Sequence, residues 1–241
     1  MPASDPFSAV ARLEGVPAAA AAARDAVDVV LRDRGMRALT PDSTAEALLR
    51  GAWASAVLEG VEVELDDVRT GSPEPIVQGA VRLSTELLSL APVVERAPLQ
   101  AFARMHALVG KGFLDPSELG LVGSAEAADR LQELGRLLTA PTDAPAVVVA
   151  AIVHAELAVL RPFGWGDGLV ARAAGRLLLS VRGLDPRSVT VPEDGHLRTR
   201  TSYADALAGY AAGSPSGVAA WLIHCADAVA LGAAVIVGDH R

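Results

Sequence analysis

The sequence is poor in aromatics, with 3 Trp, 2 Tyr and 4 Phe in 241 residues, yet 51% of it is hydrophobic. Its apolar content is therefore aliphatic, which favours packed helices over an aromatic-rich sandwich or barrel. Lysine is nearly absent. Lys111 is the single one, so the positive charge is nearly all Arg, and the net charge of −8 argues against a general nucleic-acid binder, which needs a basic patch against phosphates. Cysteine is reduced to Cys225. No disulfide can close within the chain and no zinc site can be built from cysteines, a pattern that suits the cytoplasm. Charged residues are 21%, too few at this hydrophobicity for a disordered chain. The opening stretch places Asp5, Arg12 and Glu14 where a signal peptide has its apolar run, so a secretory leader is not expected. The most apolar stretch, 217–238, holds His224 and Asp227 near its middle. An Asp at the centre of a membrane span costs roughly 2.5–3.5 kcal/mol, so a buried terminal helix is expected there and no membrane partner.

Helical spacing dominates what is present. Val16–Arg34 carries Ala23, Val27, Val30 and Leu31 on one face. Ser43-Thr44-Ala45-Glu46 reads as a capping box opening a helix that runs through Trp53 to Glu59, with Gly60 as a left-handed stop. Trp53 is expected to anchor that helix to the core. Further helices fit 74–90, 99–109, 125–139, 146–160, 169–182, 201–212 and 217–233. At most a short hairpin is expected, around Gly112–Gly123. Segments 66–75, 110–123, 161–168 and 185–195 read as exposed and non-helical. The expected class is all-α, with an N-terminal helical extension over 1–95 and a core over 96–241.

Most loops are ordinary polar turns, but 161–168 (Arg-Pro-Phe-Gly-Trp-Gly-Asp-Gly) is not. Gly164, Gly166 and Gly168 permit positive φ and close backbone approach. With the start of the next helix they can form a nest for an anion or phosphate, which Arg172 can cap. The same residues also suit a plain interhelical turn with two aromatics packed beneath it. His106, His154 and His224 fall on helical faces without ligand-like spacing, so core or interface roles are expected of them rather than metal binding. His196 follows the polar turn Glu193-Asp194-Gly195 without an evident partner, and His240 lies in the terminal tail. Ser55 lacks the G-x-S-x-G setting of a nucleophile. With no G-x-x-x-x-G-K-[ST] segment, a P-loop nucleotidase is excluded.

The run His154-Ala155-Glu156-Leu157-Ala158-Val159-Leu160-Arg161-Pro162-Phe163-Gly164-Trp165-Gly166-Asp167-Gly168-Leu169-Val170-Ala171-Arg172 resembles the signature of the Fic (Fido) family. These are helical enzymes that mostly transfer AMP from ATP to a protein hydroxyl. The family pattern is H-A-x-F followed by H-P-F-x-[D/E]-G-N-G-R-x-x-R. His154, Ala155, Pro162, Phe163, Gly166, Gly168 and Arg172 match it without a gap. Ser55-Ala56-Val57-Leu58-Glu59-Gly60 resembles the family's inhibitory motif, [S/T]-x-x-x-E-[G/N]. The Pro98–His106 stretch resembles the helix before the family's target-binding flap, and the likeness spans roughly 43–183. It implies an ATP-type nucleotide with Mg²⁺, a protein target, and a Glu59–Arg172 pair that obstructs the γ-phosphate.

The departures fall on the chemistry. Arg161 stands where the family has its catalytic His, and a guanidinium cannot accept a proton from a hydroxyl. Trp165 stands at the metal-binding acid and offers no oxygen. Asp167 replaces the phosphate-contacting Asn, and Leu169 replaces the first Arg. Three readings follow. The first is a pseudoenzyme that keeps an anion or nucleotide site on Gly164, Gly166, Asp167, Gly168 and Arg172, with Ser55, Glu59 and Gly60 as its inhibitory motif. The second is a divergent nucleotidyl- or phosphotransferase that uses Asp167 as substitute base or metal ligand. The third is an interaction module or homo-oligomer, in which Arg161 and Arg172 pair with Asp167 and Glu59.

Overall fold

The computed structural model describes residues 5–32 and 41–238, and every regular element among them is helical. Helix α1 (Pro6–Val10) is capped by Asp5, whose carboxylate accepts the Ser8 N–H. Helix α2 (Val16–Arg32) buries Val16, Ala20, Ala23, Val27 and Val30, a stripe at helical spacing. Then come α3 (Pro41–Leu58), α4 (Leu65–Thr70), α5 (Pro75–Glu86), a 3₁₀ turn (Leu87–Leu90), α6 (Ala91–Val94), α7 (Pro98–Gly110) and α8 (Ala125–Thr139). The chain closes with α9 (Ala146–Leu160), α10 (Asp167–Val181), α11 (Pro192–Arg198), α12 (Arg200–Ala211) and α13 (Pro215–Gly238).

Helices α9 and α10 form the centre. Helix α9 is apolar all round (Val147, Val148, Val149, Ala150, Ala151, Val153) and is buried on nearly every side. Its partner α10 is buried as deeply but carries Arg172 and Arg176 inward. Helices α7, α8, α12 and α13 enclose the pair, α2 lies along α13, and α3 packs on α5 and α11. Residues 215–234 are long and apolar enough to cross a membrane, with a mean hydropathy of 1.5, but half of that window is buried within the protein. Trp221, Leu222, Cys225, Ala226 and Val229 join the main core, and Asp227 is exposed. The expected buried terminal helix is therefore present.

Several expectations are corrected. Helix α3 begins at Pro41, so Ser43 is not its N-cap, and the Glu46 carboxylate pairs with Arg69 instead. Trp53 ties α3 to the segment after it: its Nε1–H donates to the Val63 carbonyl at 2.8 Å, and its ring packs in a small cluster with Ala56, Val68 and Val77. Segment 66–75 contains most of α4. No hairpin forms at 112–123 among the described residues; that segment is a series of turns. Segment 185–195 is largely buried and runs into α11. Gly195 is a packing glycine, since a Cβ there would strike the Ala228 backbone of α13. The expected end of α2 at Arg34 lies outside the described residues, as does His240.

Candidate functional site

The loop between α9 and α10 takes its shape from backbone conformations. Arg161 ends α9 with φ 47° and ψ 56°, a left-handed state, and its side chain is exposed. Gly164 and Gly166 also have positive φ, 80° and 68°. Phe163 stacks on His106 with centroids 4.5 Å apart and planes 5° apart. His106 Nδ1 accepts the Gly120 N–H, and the Pro162 carbonyl accepts the Gly123 N–H. The turns of 112–123 are thus bonded to the loop rather than paired as strands. Burial lowers the His106 pKa, and the nearby Trp165 carbonyl partly opposes this.

Arg172 lies on α10 one turn past the loop, with its side chain 3% exposed. Its Nε–H donates to Ser55 Oγ at 2.6 Å and one Nη–H to the Ser55 carbonyl at 3.1 Å. Another reaches Glu59 Oε1 at 2.6 Å, and the far side of the guanidinium faces Tyr203 Oη at 3.4 Å. Burial works against its charge, but Tyr203 and Glu59 outweigh that and raise its pKa. Helix α3 ends at Leu58, and Gly60, with φ 93°, carries the chain away. This leaves Glu59 over the start of α10. Gly168 makes that approach possible, because a Cβ there would collide with the Glu59 carboxylate. The two motifs far apart in sequence thus meet in a single ion pair.

Asp167, the first residue of α10, is 4% exposed. Its Oδ1 accepts the Phe163 N–H at 2.9 Å, and its Oδ2 has no partner among the described residues. Burial raises its pKa, and Glu59 adds to this; the N–H groups of Phe163 and Gly164 and the charge of Arg161 pull the other way. The carboxylate thus occupies part of the nest expected to hold an external anion. Arg161 makes no ion pair with it, so the expected cluster of two Arg–carboxylate pairs is half formed. Replacing Asp167 with Asn keeps an oxygen for the Phe163 N–H and removes a carboxylate that burial disfavours. Asp167→Asn is therefore expected to leave the urea midpoint unchanged or higher at pH 7. A loss of more than about 1 kcal/mol at pH 7, the scale of one ordinary hydrogen bond, would contradict this account of the carboxylate.

The residues at the expected metal position do not fit Mg²⁺, which needs oxygen ligands. Trp165 packs its ring against the core. Asp167 is tied down by the Phe163 N–H, and Glu59 is taken by Arg172. His154 is no substitute base for the loop. It is 4% exposed and lies behind Arg172, with Nε2 3.0 Å from Tyr203 Oη and the ring edge-on to Trp221. Sequence spacing pointed to neither Tyr203 nor His196. Yet Tyr203 joins His154 to Arg172, and His196 Nδ1 lies 3.0 Å from His224 Nε2 in the same buried cluster.

No protein-family model matches the chain, and no curated protein matches it. Solved structures do share its fold. A Fic family protein from Desulfovibrio desulfuricans G20 superposes with a TM-score of 0.75 at 17% identity, over 92% of this chain and 74% of that one. A fragment of Fic-1 from C. elegans does so with a TM-score of 0.70 at 16% identity, over 93% and 72%. A point variant of the same C. elegans protein gives 0.65 at 16% identity, over 93% and 73%. The helical order, the placement of the glycine loop at the start of α10 and these superpositions agree: the chain has the Fic fold.

Proposed function

We propose that this protein is a Fic-fold pseudoenzyme. It does not transfer AMP, and it retains an anion or nucleotide site that Glu59 holds shut. One observation carries the reading: the position of the family's general base is Arg161, whose exposed side chain can attract an anion but cannot accept a proton from a target hydroxyl. The closed state is supported by Glu59 on Arg172 and by Asp167 inside the loop's nest. Both carboxylates lie where an incoming phosphate would need backbone N–H groups and the guanidinium. The proposed partners are a nucleotide or a phosphate-bearing molecule and, through it, a protein.

The divergent-transferase reading has one observation in its favour, the unpartnered Oδ2 of Asp167. That oxygen is buried and its pKa is raised, which suits a group shielded from water better than a metal ligand exchanging with it.

The test uses wild type and Glu59→Gly. With α-labelled ATP and Mg²⁺, neither is expected to label itself or a protein mixture. In a thermal-shift panel of nucleotides and diphosphate compounds, Glu59→Gly is expected to respond and wild type not to. A ligand at 100 times its Kd stabilises by about 2.7 kcal/mol, a rise of several degrees. Labelling by Glu59→Gly that is lost on Arg172→Ala would overturn the pseudoenzyme reading. No response by either protein to any polyphosphate would overturn the anion site and leave an interaction module.

A further inference from the structure

Behind Arg172, on the side away from the loop, the core contains a cavity of about 20 Å³. That is room for about one water-sized occupant. His154 from α9, His196 from α11 and Cys225 from α13 line it, together with Arg172, Arg176 and Glu193. The three potential metal ligands each offer one donor atom, and these atoms lie within 4.8 Å of one another. All three residues are buried.

Two further features bear on what the cavity can hold. One nitrogen of each imidazole is already engaged, His154 Nε2 by Tyr203 Oη and His196 Nδ1 by His224 Nε2, each at 3.0 Å. Around ligating histidines an outer partner commonly holds one ring nitrogen and fixes the ring's orientation, and each of these imidazoles has one such partner. Both arginines on the wall are already matched by carboxylates, Arg172 by Glu59 and Arg176 by Glu193. Each carboxylate thus offsets part of the positive charge that its arginine places on the cavity wall.

We propose that His154, His196 and Cys225 form a binding site for one thiophilic d¹⁰ cation, Cu⁺ or Zn²⁺. Two imidazoles and one thiolate are ligands that both ions accept. Metal–ligand bonds of about 2.0–2.3 Å place donor atoms roughly 3.3–3.8 Å apart, so the three groups close by about an ångström on binding. Cys225 loses its S–H proton to solvent as the S–metal bond forms. Cu⁺ with that thiolate leaves the cavity neutral; Zn²⁺ leaves one net positive charge in it. The site is separate from the glycine loop and does not depend on nucleotide binding.

The experiment uses the full chain, stripped of metal and then supplied with each ion, and in parallel the chain expressed in medium enriched in each. Co²⁺ serves as the spectroscopic stand-in for Zn²⁺, and a coloured cuprous chelator competes for Cu⁺. One equivalent per chain is expected. It should appear as a thiolate-to-cobalt charge-transfer band that Zn²⁺ displaces, or as withdrawal of Cu⁺ from the chelator; the arm that responds at the lower free metal concentration identifies the ion. Cys225→Ala should abolish the band, and His196→Gln should weaken binding at least tenfold. If Cys225→Ala does not fold, the band in wild type alone decides, since only a thiolate produces it. Folded wild type that shows neither band nor cuprous withdrawal, and carries no bound metal from enriched medium, would overturn the site. So would binding that Cys225→Ala retains in full.

Discussion

Glu193→Ala is expected to cost about 3–5 kcal/mol, because removing one member of a buried ion pair strands the other. Glu193 and Arg176 are both nearly inaccessible, with side chains 6% and 3% exposed and an Nη1–Oε2 distance of 3.1 Å. Arg176 also donates to the Ala47 carbonyl of α3, to Ser188 Oγ and to the Ser188 carbonyl. Its guanidinium thus joins α10, α3 and the segment leading into α11. A Cβ at Gly51 would meet this pair, so α3 lies directly against it. Without Glu193 the Arg176 charge keeps hydrogen bonds to neutral oxygens but loses its counter-charge. Glu193→Gln preserves the shape and one acceptor, so its loss should be smaller. Urea unfolding of the three proteins at pH 7 provides the test. A Glu193→Ala protein within about 1 kcal/mol of wild type, the range of exposed pairs, would show that the pair is solvated.

The second large effect is expected in mild acid. Burial lowers the pKa of His154 and of His196 well below the ordinary value of 6.5, and it lowers that of His224 as well. Arg172 and the neighbouring histidines push His154 and His196 further down. As pH falls below about 6.5 the unfolded chain takes up protons that the native cluster refuses. Stability is therefore intact above that pH and is lost as pH falls towards the native pKa values. The slope is about 1.4 kcal/mol per pH unit for each histidine that stays neutral. His154 and His196, the two held well below the ordinary value, together approach about 2.7 kcal/mol per unit, a large part of a typical domain's total. Urea unfolding between pH 6.5 and 5, with a chelator present so that no cation competes for the ring nitrogens, should show this slope. His196→Gln should reduce it by about one proton. A wild-type slope no steeper than that of the variant would contradict the buried neutral cluster.

Much of the site was legible before the structure, because its information is local. The glycine loop sits between two helices that read clearly from apolar spacing, and the Ser55–Gly60 stretch sits at a helix end. Resemblance supplied the pairing of Glu59 with Arg172, and the 2.6 Å contact realises it. The behaviour of Asp167 was less legible. Its position marked it as part of an anion site or as a substitute base, but its carboxylate turns inward and bonds to the loop's own backbone. A side-chain rotamer and a neighbour four residues away decide that.

The run 185–196 reads as a polar turn because Asp185, Glu193, Asp194, Gly195 and His196 are turn and surface residues by type. Each is itself buried and has a partner instead. Asp185 accepts from Val189, Thr190 and the Thr190 hydroxyl; Glu193 meets Arg176; Asp194 meets Arg198; His196 meets His224; Gly195 abuts α13. Some of these partners lie tens of residues away, so no periodicity records them. The same holds for His154, His196 and Cys225, which have no ligand spacing in sequence and converge only because α9, α11 and α13 pack together.

The sequence by itself determined the helical class, most helix boundaries and which functional groups stand at Arg161 and Trp165, since propensity, apolar period and side-chain functional groups are properties of single residues and short windows. Tertiary structure alone decided which charges are paired, which polar residues are buried and which histidines share a cavity. Those depend on the juxtaposition of distant helices, and in a low-dielectric interior that juxtaposition sets whether a charged group is held or expelled.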